Sequence, residues 1–348
     1  MLVRALRSWG ALFLILSLAC PATTADAATP KTKRTKAAGT SAASPRAGQT
    51  DAKSAAGAKV ARKGKTPAKV TRKSSSRKPA ATASRRKSRR ARAPAPPPGG
   101  VYARNAVVID LATDKVLFEK KAEQTVPIAS ITKLMTALVF LEQQPDLRRP
   151  VEVTREEIRG GGHTQLWNRE RVALYDLLHM SLMNSDNVAT RVLARESGLD
   201  RAGFVLRMNE KARELGLANT RFAETTGLDN RNVSTAVDVA RLLRAAADHY
   251  LIREVTTTPD YVFLGEYPGS RRTIARTHQI VNTNRLLRSN RYEFSCSKTG
   301  FISQSGYCVA TWVRDRGRDL IAVVLGAPTN ATRFADVVRL VQRTQTEP

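Results

Sequence analysis

"ASITKLMTALVFLEQQ" (residues 129–144) is the stretch on which the fold turns. Leu134, Leu138 and Leu141 fall at helical spacing, so the segment reads as an amphipathic helix with one buried stripe. The helix opens on Ser130 and carries Lys133 three residues on, and residues i and i+3 share a helix face. A hydroxyl and an amine are thus aimed at one point in the first turn. An isolated S-x-x-K is ordinarily an N-cap serine beside a solvated lysine. The rest of the chain decides which reading holds.

The chain has 348 residues and a formal charge of +28, placed unevenly. Residues 1–27 carry Arg4 and Arg7, then the apolar run "ALFLILSLA", then "ADA" at 25–27. That order is the layout of a secretory signal peptide, with an apolar run too short to span a bilayer. Cleavage after Ala27 fits it best, and a lipoprotein-type cut before Cys20 is the alternative. Residues 28–100 are almost wholly Ala, Lys, Arg, Ser, Thr, Pro and Gly, with roughly twenty basic residues against the single acid Asp51. With so little apolar surface to bury, this segment is expected to be disordered. Its charge reads either as attraction to a polyanion or as a solubilising tether. Alone it would suggest nucleic acid. Behind an export signal, anionic envelope polymers are the partner expected, and no specific nucleic acid.

Residues 101–348 alternate in pattern and are apolar-rich, long enough for one substantial core. "AVVIDLATDKVLFEK" (106–120) reads as two strands around a turn at Thr113 and Asp114. Helical patterns follow at 130–143, 171–184, 187–197, 202–215 and about 235–248. "YEFSCSKTGF" and "YCVATWV" form a hairpin around "ISQSG", "RDLIAVVLGA" adds a strand, and "ATRFADVVRLVQRTQ" closes the chain as a helix. The expected class is α+β: an antiparallel sheet formed from both chain ends, with a helical subdomain inserted.

Two tripeptides answer the question posed by Ser130 and Lys133. "SDN" occupies 185–187, between two helical runs, and "KTG" occupies 298–300, at the end of a strand. One S-x-x-K is expected by chance at this length, but S-D-N and K-T-G each arise only about a few times in a hundred. The ordered triple is the signature of penicillin-reactive serine enzymes. A serine hydroxyl needs a base to become a nucleophile. Lys133 serves if its amine is neutral, which burial and a neighbouring cation, here Lys298, would favour. The backbone N–H groups of Ser130 and Phe301 are the expected oxyanion donors. Ser185 could relay a proton to the leaving amine, and Asn187 could hold a substrate carbonyl. Lys298 and Thr299 suit a substrate carboxylate, while Gly300 lets the substrate backbone approach the strand. Singly, Ser185 reads as a helix cap, Asp186 as a helix-start residue and Lys298 as an edge-strand charge.

Residues 101 to about 345 resemble the low-molecular-mass penicillin-binding proteins, serine D-alanyl-D-alanine peptidases that share a fold with β-lactamases. "FVLRMNEKARELGLANTRFAETTGLDNRNVSTAVDVARLL" (204–243) and "NTNRLL" (282–287) look like the segments these enzymes carry before the third motif. "SDN" with "KTGF" resembles the endopeptidase branch. The resemblance implies nucleophile Ser130, base Lys133 and second-motif residues Ser185 and Asn187. Lys298, Thr299 and Gly300 form the third motif. It implies peptidoglycan stem peptides as substrates, with D-alanyl–meso-diaminopimelate cross-links the bond expected to be cut, β-lactams as covalent inhibitors, no cofactor, and a periplasmic or envelope location without a transmembrane anchor. The alternatives are a D-Ala-D-Ala carboxypeptidase, a non-catalytic wall-binding protein, or a serine β-lactamase, for which Glu224 in "ETTGLDN" is only a loose match to a deacylating glutamate.

Cys296 and Cys308 flank the third motif in an exported chain, which invites a disulfide. Pairing Ile302 with Tyr307 sets Cys308 opposite Phe301 and puts the two thiols on opposite faces, so two separate buried cysteines are favoured. Cys296 then shares the face of Lys298 and is a candidate lining residue. His163, His179, His249 and His278 show no ligand spacing, so no metal is implied, and His163 reads as a surface-loop residue.

Overall fold

The computed structural model describes residues 100–289 and 291–344. The expected signal peptide (1–27), the basic segment up to residue 99 and the last four residues lie outside the described residues. The chain runs through β1 (Asn105–Asp110), β2 (Val116–Lys120), β3 (Val126–Pro127), a 3-10 turn (Ala129–Ile131) and α1 (Thr132–Glu142). Then come β4 (Pro150–Glu152), α2 (Arg155–Ile158), β5 (Arg171–Ala173), α3 (Leu174–Leu182), α4 (Asn187–Arg195) and α5 (Arg201–Glu214). Next are β6 (Val233–Ser234), α6 (Ala236–Asp248), α7 (Tyr250–Thr257), β7 (Asp260–Pro268) and β8 (Thr273–Val281). β9 (Glu293–Ile302), β10 (Gly306–Asp315), β11 (Arg318–Ala327) and α8 (Asn330–Arg343) close it.

The main sheet is antiparallel, in the order β2-β1-β11-β10-β9, so strands from both chain ends share it. β11 sits in the middle, and its unbroken apolar run is what a strand buried on both faces requires. Ile321, Val323 and Leu325 enter the larger core, with Leu134, Phe140, Leu178, Phe204 and Leu243 of the helical layer. Leu320, Ala322 and Val324 enter a smaller core with Phe334, Val337, Leu340 and Val341 of α8. Each leucine, isoleucine, valine or phenylalanine among them contributes roughly 1.5–3 kcal/mol on burial. Thr329 and Thr332 cap α8 reciprocally, satisfying N–H groups that its first turn leaves free.

Three expectations are corrected. The run 171–184 is not one helix: Arg171–Ala173 pairs with β4 and β7, and the helix starts at Leu174. α7 and a second sheet, β4-β5-β7-β8, were not foreseen. β7 and β8 hide from pattern reading because Val262, Leu264 and Ile274 are exposed, which blurs the alternation. The β9–β10 hairpin is shorter than expected: Gly306, at φ +69°, joins the ladder opposite Ile302, so Cys308 faces Gly300 and Cys296 faces Trp312. A slip of one residue reverses side-chain parity, so both thiols lie on the same face, in the larger core. They are free and buried. Four residues along a strand, about 13 Å, keep them apart. Cys296 is within reach of the Thr256 hydroxyl, deep in that core rather than in the groove beside Lys298.

Candidate active site

Ser130 does not cap α1. It lies in the 3-10 turn ahead of the helix, which has no side-chain cap, and Ala129 before it takes φ +48°. Two glycines press this turn from either side. A methyl on Gly227, itself at φ +87°, would overlap the Ala129 carbonyl and come within 2.7 Å of Ser130 N. A methyl on Gly300 would lie 3.0 Å from Ile128 O and 3.0 Å from Ser130 N. The turn bearing the hydroxyl is therefore fixed by backbone packing.

Lys133, in the first turn of α1, is fully buried. Its Nζ lies 3.0 Å from Ser130 Oγ, 2.7 Å from Asn187 Oδ1 and 2.6 Å from the Thr226 carbonyl. Burial lowers its pKa to about 7, with a further push from Arg191 and opposition from Glu224 and Asp186. Burial and Arg191, rather than the expected Lys298, are what lower it. The repulsion between the two ammonium groups acts instead on Lys298, which burial first, then Lys133 and Arg333, hold well below the usual lysine range.

The α3–α4 connection delivers the second motif. Asp186 is the N-cap, accepting from Ala189 N at 2.9 Å, while Ser185 takes φ +66° and accepts from Lys298 Nζ at 2.9 Å. Asn187 opens α4, and its Nδ2 donates to Gly161 O at 2.9 Å. On β9, Lys298 also donates to Thr299 O. Thr299 Oγ1 contacts Thr283 Oγ1 at 2.6 Å. Phe301 is half exposed, its ring stacked on Tyr307 with centroids 4.2 Å apart. Ser130, Lys133, Ser185, Asn187, Lys298, Thr299 and Gly300 thus meet, with Phe301 at the margin. His163 is exposed in its loop. Among the described residues, no group of three or more His, Cys, Asp or Glu is arranged to hold a metal ion.

Several contributors escaped sequence reading. The 224–227 loop gives a carbonyl to Lys133 and packs a glycine against the turn that bears Ser130. Glu224 organises that loop, accepting from Thr226 N at 2.7 Å, from Gly227 N and from Asn232 Nδ2 at 2.9 Å. Arg333 is buried and donates to Gly300 O and Cys308 O, both at 3.1 Å. It was legible, since an arginine four and seven residues before Val337 and Leu340 lies on their buried face.

Fold and site together define an active-site-serine D,D-peptidase of the penicillin-binding class. A family model described as D-alanyl-D-alanine carboxypeptidase matches residues 90–329, and the chain belongs to that family, a low-molecular-mass penicillin-binding protein. It is 35% identical over 238 residues to a D-alanyl-D-alanine endopeptidase of Pseudomonas aeruginosa, spanning 68% of this chain and 75% of that one. An Escherichia coli D-alanyl-D-alanine endopeptidase is 33% identical, with the same coverage. Among solved structures, a mutant of the Streptomyces K15 DD-transpeptidase superposes with a TM-score of 0.67 at 25% identity, over 71% of this chain and 99% of that chain. Penicillin-binding protein D2 of Listeria monocytogenes, in a cefotaxime-bound form, gives 0.59 at 28%, over 71% and 98%. No helix among the described residues is long and apolar enough to cross a membrane.

Proposed function

We propose that Ser130 attacks the carbonyl of a D-alanyl peptide bond in peptidoglycan, with Lys133 as base. The observation that carries this reading is the set of acceptors around Lys133 Nζ. A neutral amine has two N–H groups and one lone pair. Asn187 Oδ1 and the Thr226 carbonyl can only accept, so they take both N–H groups and leave the lone pair for the Ser130 hydroxyl. As Oγ bonds the carbonyl carbon, its proton passes to Lys133, and the N–H groups of Ser130 and Phe301 hold the oxyanion. Collapse breaks the C–N bond, and the amine leaves with a proton delivered through Ser185. Water then repeats the attack on the ester and frees the serine.

Asn187 offers its second Nδ2 hydrogen to a substrate carbonyl. Lys298 and Thr299 receive the carboxylate beside the scissile bond, supplying the counterion that Lys298 lacks in the free protein. Penicillins carry the same carboxylate and acylate Ser130. The substrate we favour is the D-alanyl–meso-diaminopimelate cross-link, supported by the likeness to two endopeptidases. Carboxypeptidase action uses the same groups. A β-lactamase is disfavoured because the Glu224 carboxylate is engaged by its own loop.

The basic segment serves, on this reading, as a tether drawn to anionic envelope polymers after export to the periplasm and cleavage behind Ala27. Deleting residues 29–98 should release the protein from such polymers and leave hydrolysis of soluble muropeptides intact; loss of both overturns the tether.

The test of activity is to incubate the full chain with cross-linked muropeptide dimers and with monomeric pentapeptide. Consumption of dimers is expected, together with a labelled-penicillin adduct that Ser130→Ala abolishes. Consumption of pentapeptide alone makes it a carboxypeptidase, and absence of the adduct from wild type overturns the mechanism.

A further inference from the structure

Thr283 joins the second and third motifs, and nothing in the chemistry above uses it. It lies between two asparagines that immobilise the backbone. Asn282 Nδ2 donates to Thr256 O and Thr258 O at 3.0 and 2.9 Å, and Asn284 N donates to Asn282 Oδ1 at 2.9 Å. From this anchored position Thr283 reaches in two directions. Its N–H and its hydroxyl both point to Met183 O, at 2.9 and 3.0 Å, two residues before Ser185. The same hydroxyl meets Thr299 Oγ1 at 2.6 Å.

Counting protons gives this pair two arrangements. A hydroxyl has one hydrogen, and Met183 O can only accept. If Thr283 donates to Met183 O, Thr299 must donate to Thr283, and Thr299 has no hydrogen left to offer an anion. If Thr283 turns its hydrogen to Thr299, the Thr299 hydrogen is released. Met183 O is not orphaned by the change, because the Thr283 N–H still donates to it. The first arrangement is satisfied internally and the second lacks only an acceptor for the Thr299 hydrogen, so an incoming anion that supplies it selects the second.

We propose that Thr283 is a positioning residue that turns the Thr299 hydroxyl into a donor for the substrate carboxylate, rotating its own hydroxyl from Met183 O to Thr299 when the anion arrives. The inference rests on the reading above, in which Thr299 faces that carboxylate. No bond is made or broken; two hydroxyl hydrogens reorient. Without the Thr283 hydroxyl, the Thr299 hydrogen is no longer aimed by a donor behind it.

The experiment compares wild type, Thr283→Val and Thr283→Ser on paired substrates that differ only in carrying a carboxylate or a carboxamide beside the scissile bond. Valine keeps the shape and removes the hydroxyl; serine keeps the hydroxyl. In Thr283→Val the ratio of kcat/KM for carboxylate over carboxamide should fall about 10-fold, mainly through KM, the scale of a hydrogen bond to a charged group. Thr283→Ser should restore the ratio. An unchanged ratio in Thr283→Val, whether or not both rates drop, overturns the proposal, as does an equal fall in Thr283→Ser. If Thr283→Val does not fold, Thr283→Ala is read by the same ratio. A wild type that consumes neither substrate and takes no penicillin label would instead sink the parent mechanism.

Discussion

Among the places where the described residues bury ionisable groups, two do so in opposite ways. Under the smaller sheet, Glu170 is wholly buried and accepts from His278 Nε2 at 2.6 Å, from Trp167 N at 2.9 Å and from Arg276. Arg276 lies over the Trp167 ring at 3.4 Å, and His278 stacks on Phe263. Burial pushes the Glu170 carboxyl up, yet the bonds from His278 and Trp167 and the charge of Arg276 outweigh it and hold the group below its usual range. In the groove, Lys133 and Lys298 are equally buried, and among the described residues neither forms an ion pair. One cluster is closed by its own counter-charges. The other is left open for a substrate to complete, with its lysines pushed toward neutrality meanwhile.

Substitutions should separate the two. The largest effect is expected at Lys133: Lys133→Met removes the proposed base, a role that ordinarily supplies 10²–10⁴-fold, so penicillin acylation should slow by about 10³-fold or more. Its unfolding midpoint in urea should drop less than that of a Glu170 variant, because no paired charge is broken. If Lys133→Met acylates at near the wild-type rate, the open cluster is not the catalytic one. At the closed cluster, Glu170→Ala strands Arg276 and His278 and should cost about 3–5 kcal/mol in urea unfolding, with acylation per folded molecule preserved. A stable but inactive Glu170→Ala would erase the contrast.

Gly227→Ala tests whether the groove depends on backbone packing as well as charge. The added methyl meets the Ala129 carbonyl in a left-handed backbone, so the turn that bears Ser130 must shift. A displacement near 1 Å typically costs on the order of 10²-fold, and kcat for dimer hydrolysis should fall by about that factor. Unaltered turnover would mean that the turn accommodates the methyl without moving Ser130.

The contrast also marks where sequence reading works. Ser130 and Lys133 were legible because helical periodicity puts them on one face, and the other two motifs because short combinations rarely recur by chance. What pattern could not carry is backbone: the Thr226 carbonyl on Lys133, the close approach of Gly227, and the positive φ of Gly306 that shortened the hairpin and reversed the cysteine parity. The closed cluster was missed for another reason. Glu170 is over a hundred residues from Arg276 and His278 in sequence, and those two lie on β8, whose exposed Ile274 and Val281 obscure the alternation. Arg333 is the instructive exception, since its place on the apolar face of α8 was readable and marks a buried cation against the third motif.

The smallest effect is a pH limb, and it follows from the open cluster alone. In the proposed mechanism Lys133 must be neutral to accept the serine proton, and burial brings its pKa to about 7. The second-order rate of penicillin acylation should therefore rise about tenfold per pH unit below pH 7 and flatten above it. Stability shares the sign. A lysine whose folded pKa lies below its unfolded value binds fewer protons folded than unfolded between about 7 and 10.5, so its burial penalty is complete below pH 7 and is relieved as pH rises through that window. Removing the Arg191 cation, which helps to depress Lys133, should move the acid limb to higher pH. Arg191 also holds the carbonyls of Glu157, Arg159 and Gly160, so the reading is the position of the limb and not the plateau. A limb that stays in place in Arg191→Met would show that burial alone sets the pKa of Lys133.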